Sequence, residues 1–324
     1  MIGHLENDAV TLSSSGELQI TADRIVEAVV ILMICLTIIG TNVLAIATIL
    51  TSPVQKEAMD YYILSVATAD LMCGVVIVPL SVYPAVSRHW MYGHLLCRIS
   101  GYLELTLWSV SVYTFMWVAV DRYLAIRKPL RYDTIQTPTR CQCWMVFTWV
   151  TSMFLCCPPL LGLSKGVYYE DGFVCMLDLG GMLPYSATLL VLILAPAVIT
   201  IVYSFFYIFS TMHKMRQCMT KEEKEYATAM SENLSNPDHM MAFVLILVFT
   251  ISWGPWFSLL IYEQLMGHHI GVHSLHFCLF WLGISDSIWK PVIYILMSPK
   301  IRYGLKILCR SLSCRWKGNP EFFI

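Results

Sequence analysis

The residues of this chain whose types could do chemistry are charges set inside apolar runs: Asp70, Glu104, Asp286, Lys290 and the tripeptide Asp121-Arg122-Tyr123. Their chemistry is charge pairing rather than bond making. An ionised side chain at bilayer depth costs at least about 2.5–3.5 kcal/mol on the gentlest scale, so each of these must face a protein interior and have a partner or a task there. An ammonium about 4 Å from a carboxylate gains roughly 4 kcal/mol at an effective dielectric near 20, before desolvation is subtracted. Lys290 can therefore neutralise Asp70 or Asp286 directly. No metal-ligand spacing and no nucleophile with its base appears, which argues against an enzyme, a metal and a cofactor.

The elements that must position these charges follow from composition. The chain has 324 residues, 57% hydrophobic and 13% charged, with a mean hydropathy of +0.64. That marks a polytopic membrane protein. Glu104 and Arg122 lie on Cys97 to Tyr123, a stretch that as a helix would be roughly 40 Å long, enough to cross a bilayer with its headgroup zones. Glu104 precedes Arg122 by about five helical turns and Ser111 by about two, so one stripe carries all three. Further spans are read over about Ile25–Leu50, Met59–Val86, Cys141–Leu161 and Pro184–Met212, then around Phe249–Pro255 and before Tyr294.

Of 21 Lys and Arg residues, 16 fall on one side of these spans, so the amino terminus is expected outside and the carboxyl terminus inside. Met1 to Thr21 is polar and acidic without a cleavable leader pattern, and the first span should act as its own signal. After the last span, Lys300 to Arg310 puts Ile301, Leu305, Leu308 and Cys309 on one face of an interfacial helix. Cys309 and Cys314 are candidate palmitoylation sites there. The expected architecture is an all-α membrane protein, a seven-transmembrane helix bundle with a short amphipathic eighth helix. Its divisions are an extracellular amino terminus (1–24), the bundle (25–298), and the amphipathic helix with the cytoplasmic tail (299–324).

Motifs recur at matching depth in span after span. They are Gly40-Thr41-Asn42-Val43, Leu64 to Asp70, Trp90-x-x-Gly93 before Cys97, Asp121-Arg122-Tyr123 with Pro129-Leu130, Trp149, Pro158-Pro159, Pro196, Phe249 with Ser252-Trp253-Gly254-Pro255, and Asp286-Ser287 with Lys290-Pro291 and Tyr294. Together they resemble the rhodopsin-like, class A G-protein-coupled receptors, near the amine-receptor and orphan branch. Most cysteines lie in apolar runs, but Cys97 and Cys175 both sit on the oxidising face, and a bridge between them is expected.

The resemblance implies a plasma-membrane receptor in which Asp121 holds Arg122 at rest. An outward swing of the sixth helix would release Arg122 into a cleft, bounded also by Tyr123, Pro129, Leu130 and Tyr294, where a G-protein helix docks. It implies as partners a heterotrimeric G protein, an arrestin, a receptor kinase, a small-molecule ligand and membrane lipid, with no nucleic acid. The chain departs from the pattern at Ser204 for a tyrosine, Ser252 for a cysteine, Ser235 for a glutamate that would also hold the arginine, and Asp286 and Lys290 for asparagines.

By similarity to the amine receptors, Glu104 stands where an aspartate pairs with a protonated amine. Trp108, Thr188, Trp253, Trp256, Phe257, His276 and Phe280 would wall the pocket, an aromatic box suited to an organic cation. Asn42, Asp70, Ser111, Asp286, Ser287 and Lys290 form the polar core. In related receptors that core holds a sodium ion, whose place Lys290 would take, leaving exchange indifferent to sodium. Basal activity is expected to be appreciable, since Ser235 leaves Arg122 less restrained. A seven-helix transporter or channel would show internal repeats or broken helix pairs, and neither is found. A retinal-binding photoreceptor would need its lysine at Ile284.

Overall fold

The computed structural model describes residues 2–162, 165–178, 180–217 and 237–316, the side chains of 2–21, 215–217, 237 and 312–316 excepted. The run Lys221-Glu222-Glu223-Lys224-Glu225, whose charge pattern predicts a helical extension of the fifth span, and the position Ser235 lie outside the described residues. Among the described residues, seven helices are long and apolar enough to cross a membrane: Ala22–Thr51, Ala58–Ser87, Gly93–Arg127, Pro138–Leu161, Leu183–Lys214, Asp238–Met266 and His273–Met297, hereafter the first to seventh spans. The first belongs to a helix, Ile2–Thr51, that runs unbroken across the boundary expected at residues 24–25. An eighth helix, Pro299–Trp316, follows the seventh span.

Burial sorts the spans. The second, third and seventh hide 56% of their most apolar windows inside the protein, the other four only 22–28%. The outer spans instead expose Val146, Phe147, Val150, Phe154, Ile199 and Phe206, a surface that only acyl chains would cover without penalty. The third span lies between the second, fourth and fifth, and the Trp149 indole donates to Ser65 Oγ at 3.0 Å to tie fourth to second.

Proline chemistry shapes two spans. A proline in a helix removes one N–H and crowds the carbonyl a turn before it. Ahead of Pro79 the second span widens into a π turn at Cys73–Ile77, and ahead of Pro196 the fifth does so at Leu190–Leu194. Pro84 lies within a regular segment of the second span, Pro79–Ser87.

Strands β1 (Gly166–Tyr169) and β2 (Val174–Leu177) pair antiparallel, with Gly166 opposite Leu177. The disulfide Cys97–Cys175 joins this hairpin to the start of the third span. Two glycines let the backbones meet. A Cβ on Gly101 would lie 3.0 Å from Leu177 N and Met176 C, and one on Gly166 would lie 2.8 Å from Arg98 N. Both obstacles are backbone and cannot rotate away. Along the eighth helix Ile301 and Gly304 are buried and Leu305 and Leu308 half-buried, while Cys309 is exposed.

This packing predicts that Gly101→Val lowers stability by about 1–3 kcal/mol, the cost of overpacking a filled site. Gly40→Val, where nothing lies within 4 Å of the added Cβ, should change it little. Thermal unfolding of the two variants in detergent or nanodiscs is the measurement, and equal midpoints would refute the close hairpin seat.

Candidate functional site

The charges inside the spans gather at two depths. At the first, Lys290 Nζ stands 2.9 Å from Asp70 Oδ1 and 2.8 Å from Asp286 Oδ2. All three side chains are nearly inaccessible, and Lys290 and Asp286 meet because residues four apart share a helix face. Ser287 Oγ donates to the same Asp70 oxygen at 2.8 Å. The Asn42 amide donates to the carbonyls of Ser287 and Ile38, both at 2.9 Å, tying the first span to the seventh. Rings of Phe115 and Phe249 face the ammonium at 5.8 and 6.0 Å. Lys290 serves both acids at once and does not reach toward the inner water.

A cavity of about 40 Å³ adjoins this cluster, lined by Asp70, Glu104, Trp108, Ser111, Asp286 and Lys290, among others. Trp253, Phe249 and Ile284 complete its apolar wall. Glu104, placed in the ligand pocket by sequence, thus shares one chamber with the polar core. Glu104 Oε2 and the Trp108 indole N–H are buried without a partner among the described residues, as are Asp70 Oδ2 and Asp286 Oδ1. Three carboxyl groups therefore face one ammonium. The chamber takes a guest little larger than one water molecule, whose share of the liquid is about 30 Å³.

The structure divides the eight residues expected to form the pocket. Glu104, Trp108 and Trp253 line the cavity, and Phe257 packs on both tryptophans, at 5.2 and 5.9 Å between ring centroids. Gly283 makes room for Trp253, since a Cβ there would lie 2.8 Å from its ring. Trp256, His276 and Phe280 form a second layer with Tyr169 of the hairpin, Trp256 lying 5.3 Å from both Tyr169 and Phe280. Burial, and then the charges of Asp171 and Glu263, push the Tyr169 phenol up, so it stays neutral. Thr188 stands apart from both groups. It is exposed, and its hydroxyl is taken by the carbonyl of Pro184 one turn earlier.

At the inner depth Arg122 is buried against Asp121, its neighbour, through two guanidinium nitrogens. Tyr132 and Gln136, of the segment between third and fourth spans, donate to the other Asp121 oxygen at 2.9 and 2.7 Å, and Arg122 donates to Tyr132 at 3.1 Å. Sequence reasoning missed both, because a polar loop residue carries no signal of what it reaches back to. Asp238, the first residue of the sixth span, places Oδ2 3.7 Å from Arg122 Nη1. This corrects the expectation, drawn from Ser235, that no second acid restrains Arg122: a carboxylate about one turn further along the chain supplies it.

Tyr123 turns away from this cluster onto Tyr203 and Tyr207, at 5.8 and 5.0 Å. Tyr294 is buried in the inner core, Pro129 is half-buried, and Leu130 is exposed. A cavity of about 220 Å³ opens beside Asp238, between Glu57, Asp60, Met241 and Lys300. Lys300 Nζ donates to Asp60 at 2.6 Å and to the Gln55 carbonyl at 2.7 Å. Burial works against the Lys300 ammonium, yet the hydrogen bond and charge of Asp60 hold its pKa above the usual lysine range. Cys309 is an exposed thiol, and the side chain of Cys314 lies outside the described ones.

Comparison with known proteins agrees with this arrangement. The family described as "7 transmembrane receptor (rhodopsin family)" matches residues 41–294. The chain is 29% identical to G-protein coupled receptor 52 of Mus musculus over 305 residues, 90% of this chain and 83% of that protein. It is 27% identical to probable G-protein coupled receptor 21 of Homo sapiens over 334 residues, 99% of this chain and 95% of that one. To the histamine H2 receptor of Rattus norvegicus it is 24% identical over 284 residues, 86% of this chain and 77% of that one. These relatives are receptors rather than enzymes, and their kind are multi-pass proteins of the plasma membrane. Seven spans, an arginine held by its neighbouring acid at the end of the third, and a match across most of the chain make this protein a member of the rhodopsin family of G-protein-coupled receptors.

Proposed function

We propose that the receptor answers to a small extracellular ligand with a cationic head, and that Glu104 is its counter-ion. The observation that carries this is an acid oxygen, Glu104 Oε2, buried without a partner in a chamber walled by Trp108, Trp253 and Phe249. Such rings attract a cation through their negative faces, by about 2 kcal/mol or more once it is desolvated. A primary ammonium is near water in size and suits the chamber, while the body of the ligand would part Trp253 from Phe257 and lie against Trp256, His276 and Phe280. Thr188 has no part in this reading. The resemblance to a histamine receptor points to the same ligand class.

Moving Trp253 would act on the sixth span, because its proline lies two residues on and weakens the helix there. The same span begins at Asp238. An outward swing of its inner end separates Asp238 from Arg122 and opens the face on which Leu130 already stands exposed, and there the G protein docks. Tyr123 supports the fifth span in this movement, and Tyr294 lies under the face until it opens. An arrestin and a receptor kinase would recognise the same opened face. The amino terminus is extracellular in this reading, and Cys309 and Cys314 take lipid on the inner leaflet. Lys290 fills the sodium ion's place between Asp70 and Asp286, with Asn42, Ser111 and Ser287 around it, so basal exchange is indifferent to sodium.

Glu104→Gln should weaken a cationic ligand by about ten- to a hundredfold, the worth of one hydrogen bond to a charged group, and leave a neutral ligand unchanged. Competition binding on membranes decides this, and equal losses for both ligands would make Glu104 a structural acid. At the inner end, Arg122→Ala should abolish nucleotide exchange on the G protein without reducing receptor at the cell surface. Asp238→Asn should raise basal exchange roughly two- to fivefold, since a loose ion pair contributes about 0.2–1 kcal/mol. Unchanged basal exchange in Asp238→Asn would show that Asp238 does not restrain Arg122. In the core, Lys290→Met strands two buried acids and should cost about 3–5 kcal/mol of stability, seen as a lowered unfolding temperature. Lys290→Asn with Asp286→Asn should be better tolerated and should make sodium depress basal exchange.

A further inference from the structure

At the disulfide end of the bundle a second set of ionisable side chains converges, outside the chamber of Glu104. Asp171 comes from the turn between β1 and β2, Glu263 from the last turns of the sixth span, His269 from the loop after it, and His276 from the seventh span. No spacing in the sequence shows a metal site, because these residues come from separate segments. The fold nonetheless brings ligand atoms of Asp171, His269 and His276 within 4.8 Å of one another. His269 Nε2 lies 3.4 Å from Asp171 Oδ2 and 4.0 Å from Glu263 Oε1, and His276 Nε2 lies 2.9 Å from Glu263 Oε1.

His276 is fixed at both ring nitrogens. The side chain is fully buried, and each ring nitrogen faces an oxygen: Nδ1 the Val272 carbonyl at 3.0 Å, Nε2 the Glu263 carboxylate at 2.9 Å. A neutral imidazole has one N–H for these two acceptors. With Nδ1–H donating to Val272, Nε2 presents its lone pair on the side where Glu263 and His269 converge. The ring of His269 stacks on that of His276 with centroids 4.4 Å apart and an 11° tilt.

We propose that Asp171, Glu263, His269 and His276 form a site for a zinc-type divalent transition ion. In a tetrahedral zinc site, with bonds of about 2.0–2.2 Å, neighbouring ligand atoms lie about 3.3–3.6 Å apart. The three separations of 2.9, 3.4 and 4.0 Å straddle that range, and His269, half-exposed on its loop, has room to move. The outer partners are those such sites use. Val272 orients His276, the Ile270 N–H donates to Glu263 Oε1 at 2.7 Å, and His273 Nδ1 holds the second Asp171 oxygen at 2.7 Å. Two carboxylates and two neutral imidazoles balance a doubly charged ion. The ion would tie the hairpin to the sixth and seventh spans, the helices that must part for a signal to cross.

The full-length receptor in nanodiscs, stripped with a chelator and held at one pH, would be titrated with cobalt, then zinc in competition. Expected are an intense tetrahedral cobalt absorption, its displacement by zinc, and a loss of affinity of at least about tenfold in His269→Ala, the smallest cost seen even for an outer partner. His268→Ala, the exposed neighbour, should bind as the unmodified receptor does. Because His269 is exposed, its removal should not disturb folding, which an unchanged unfolding temperature without metal would verify. Cobalt binding without the tetrahedral band, or equal affinities for His268→Ala and His269→Ala, would overturn the proposal and leave an ordinary hydrogen-bonded cluster.

Discussion

The interaction on which the interior depends is the ammonium of Lys290 between the carboxylates of Asp70 and Asp286. None of the three could stay ionised alone at that depth, because desolvation would outweigh anything lipid returns. Together they lock the second span to the seventh, and through Ser287 and Asn42 they reach the first. The arrangement still leaves more acid than base around the cavity. That surplus separates Glu104 from the structural acids, which have their cation.

A second constraint works at the inner end, where Arg122 serves Asp121, Tyr132 and Asp238 together. The first contact is local and cannot be lost by moving helices apart. The last joins the third span to the sixth and can. The ion pairs of Lys290 lie within the seventh span and between it and the second, whereas the longer pair of Arg122 with Asp238, at 3.7 Å, joins the third span to the sixth. The chamber of Glu104 and the inner end are connected through the same sixth span, which carries Trp253 near its middle and Asp238 at its start.

Much of this was legible in the chain. Apolar runs of span length, the one-sided distribution of Lys and Arg, and charges buried within them dictate a helical bundle in a membrane, since a bilayer tolerates few alternatives. The pairing of Lys290 with Asp286 could be read from their spacing, and the Cys97–Cys175 bridge from the placement of the two cysteines. The face carried by Glu104, Ser111 and Arg122 followed from helical period alone.

What tertiary structure decided is where separate segments meet. Thr188 had the right offset along its own helix, yet its hydroxyl is bonded to the Pro184 carbonyl and it does not line the cavity of Glu104. Asp238 carried no signal along the chain, and the sixth span sets it beside Arg122. Asp171, His269 and His276 had no common pattern, because they come from the hairpin turn, the loop after the sixth span and the seventh span, which only packing brings together. Local composition and period determine which helices form and which faces they bury, since those depend on neighbours along the chain. Rotation, register and loop path depend on packing across the bundle, which one-dimensional spacing does not encode.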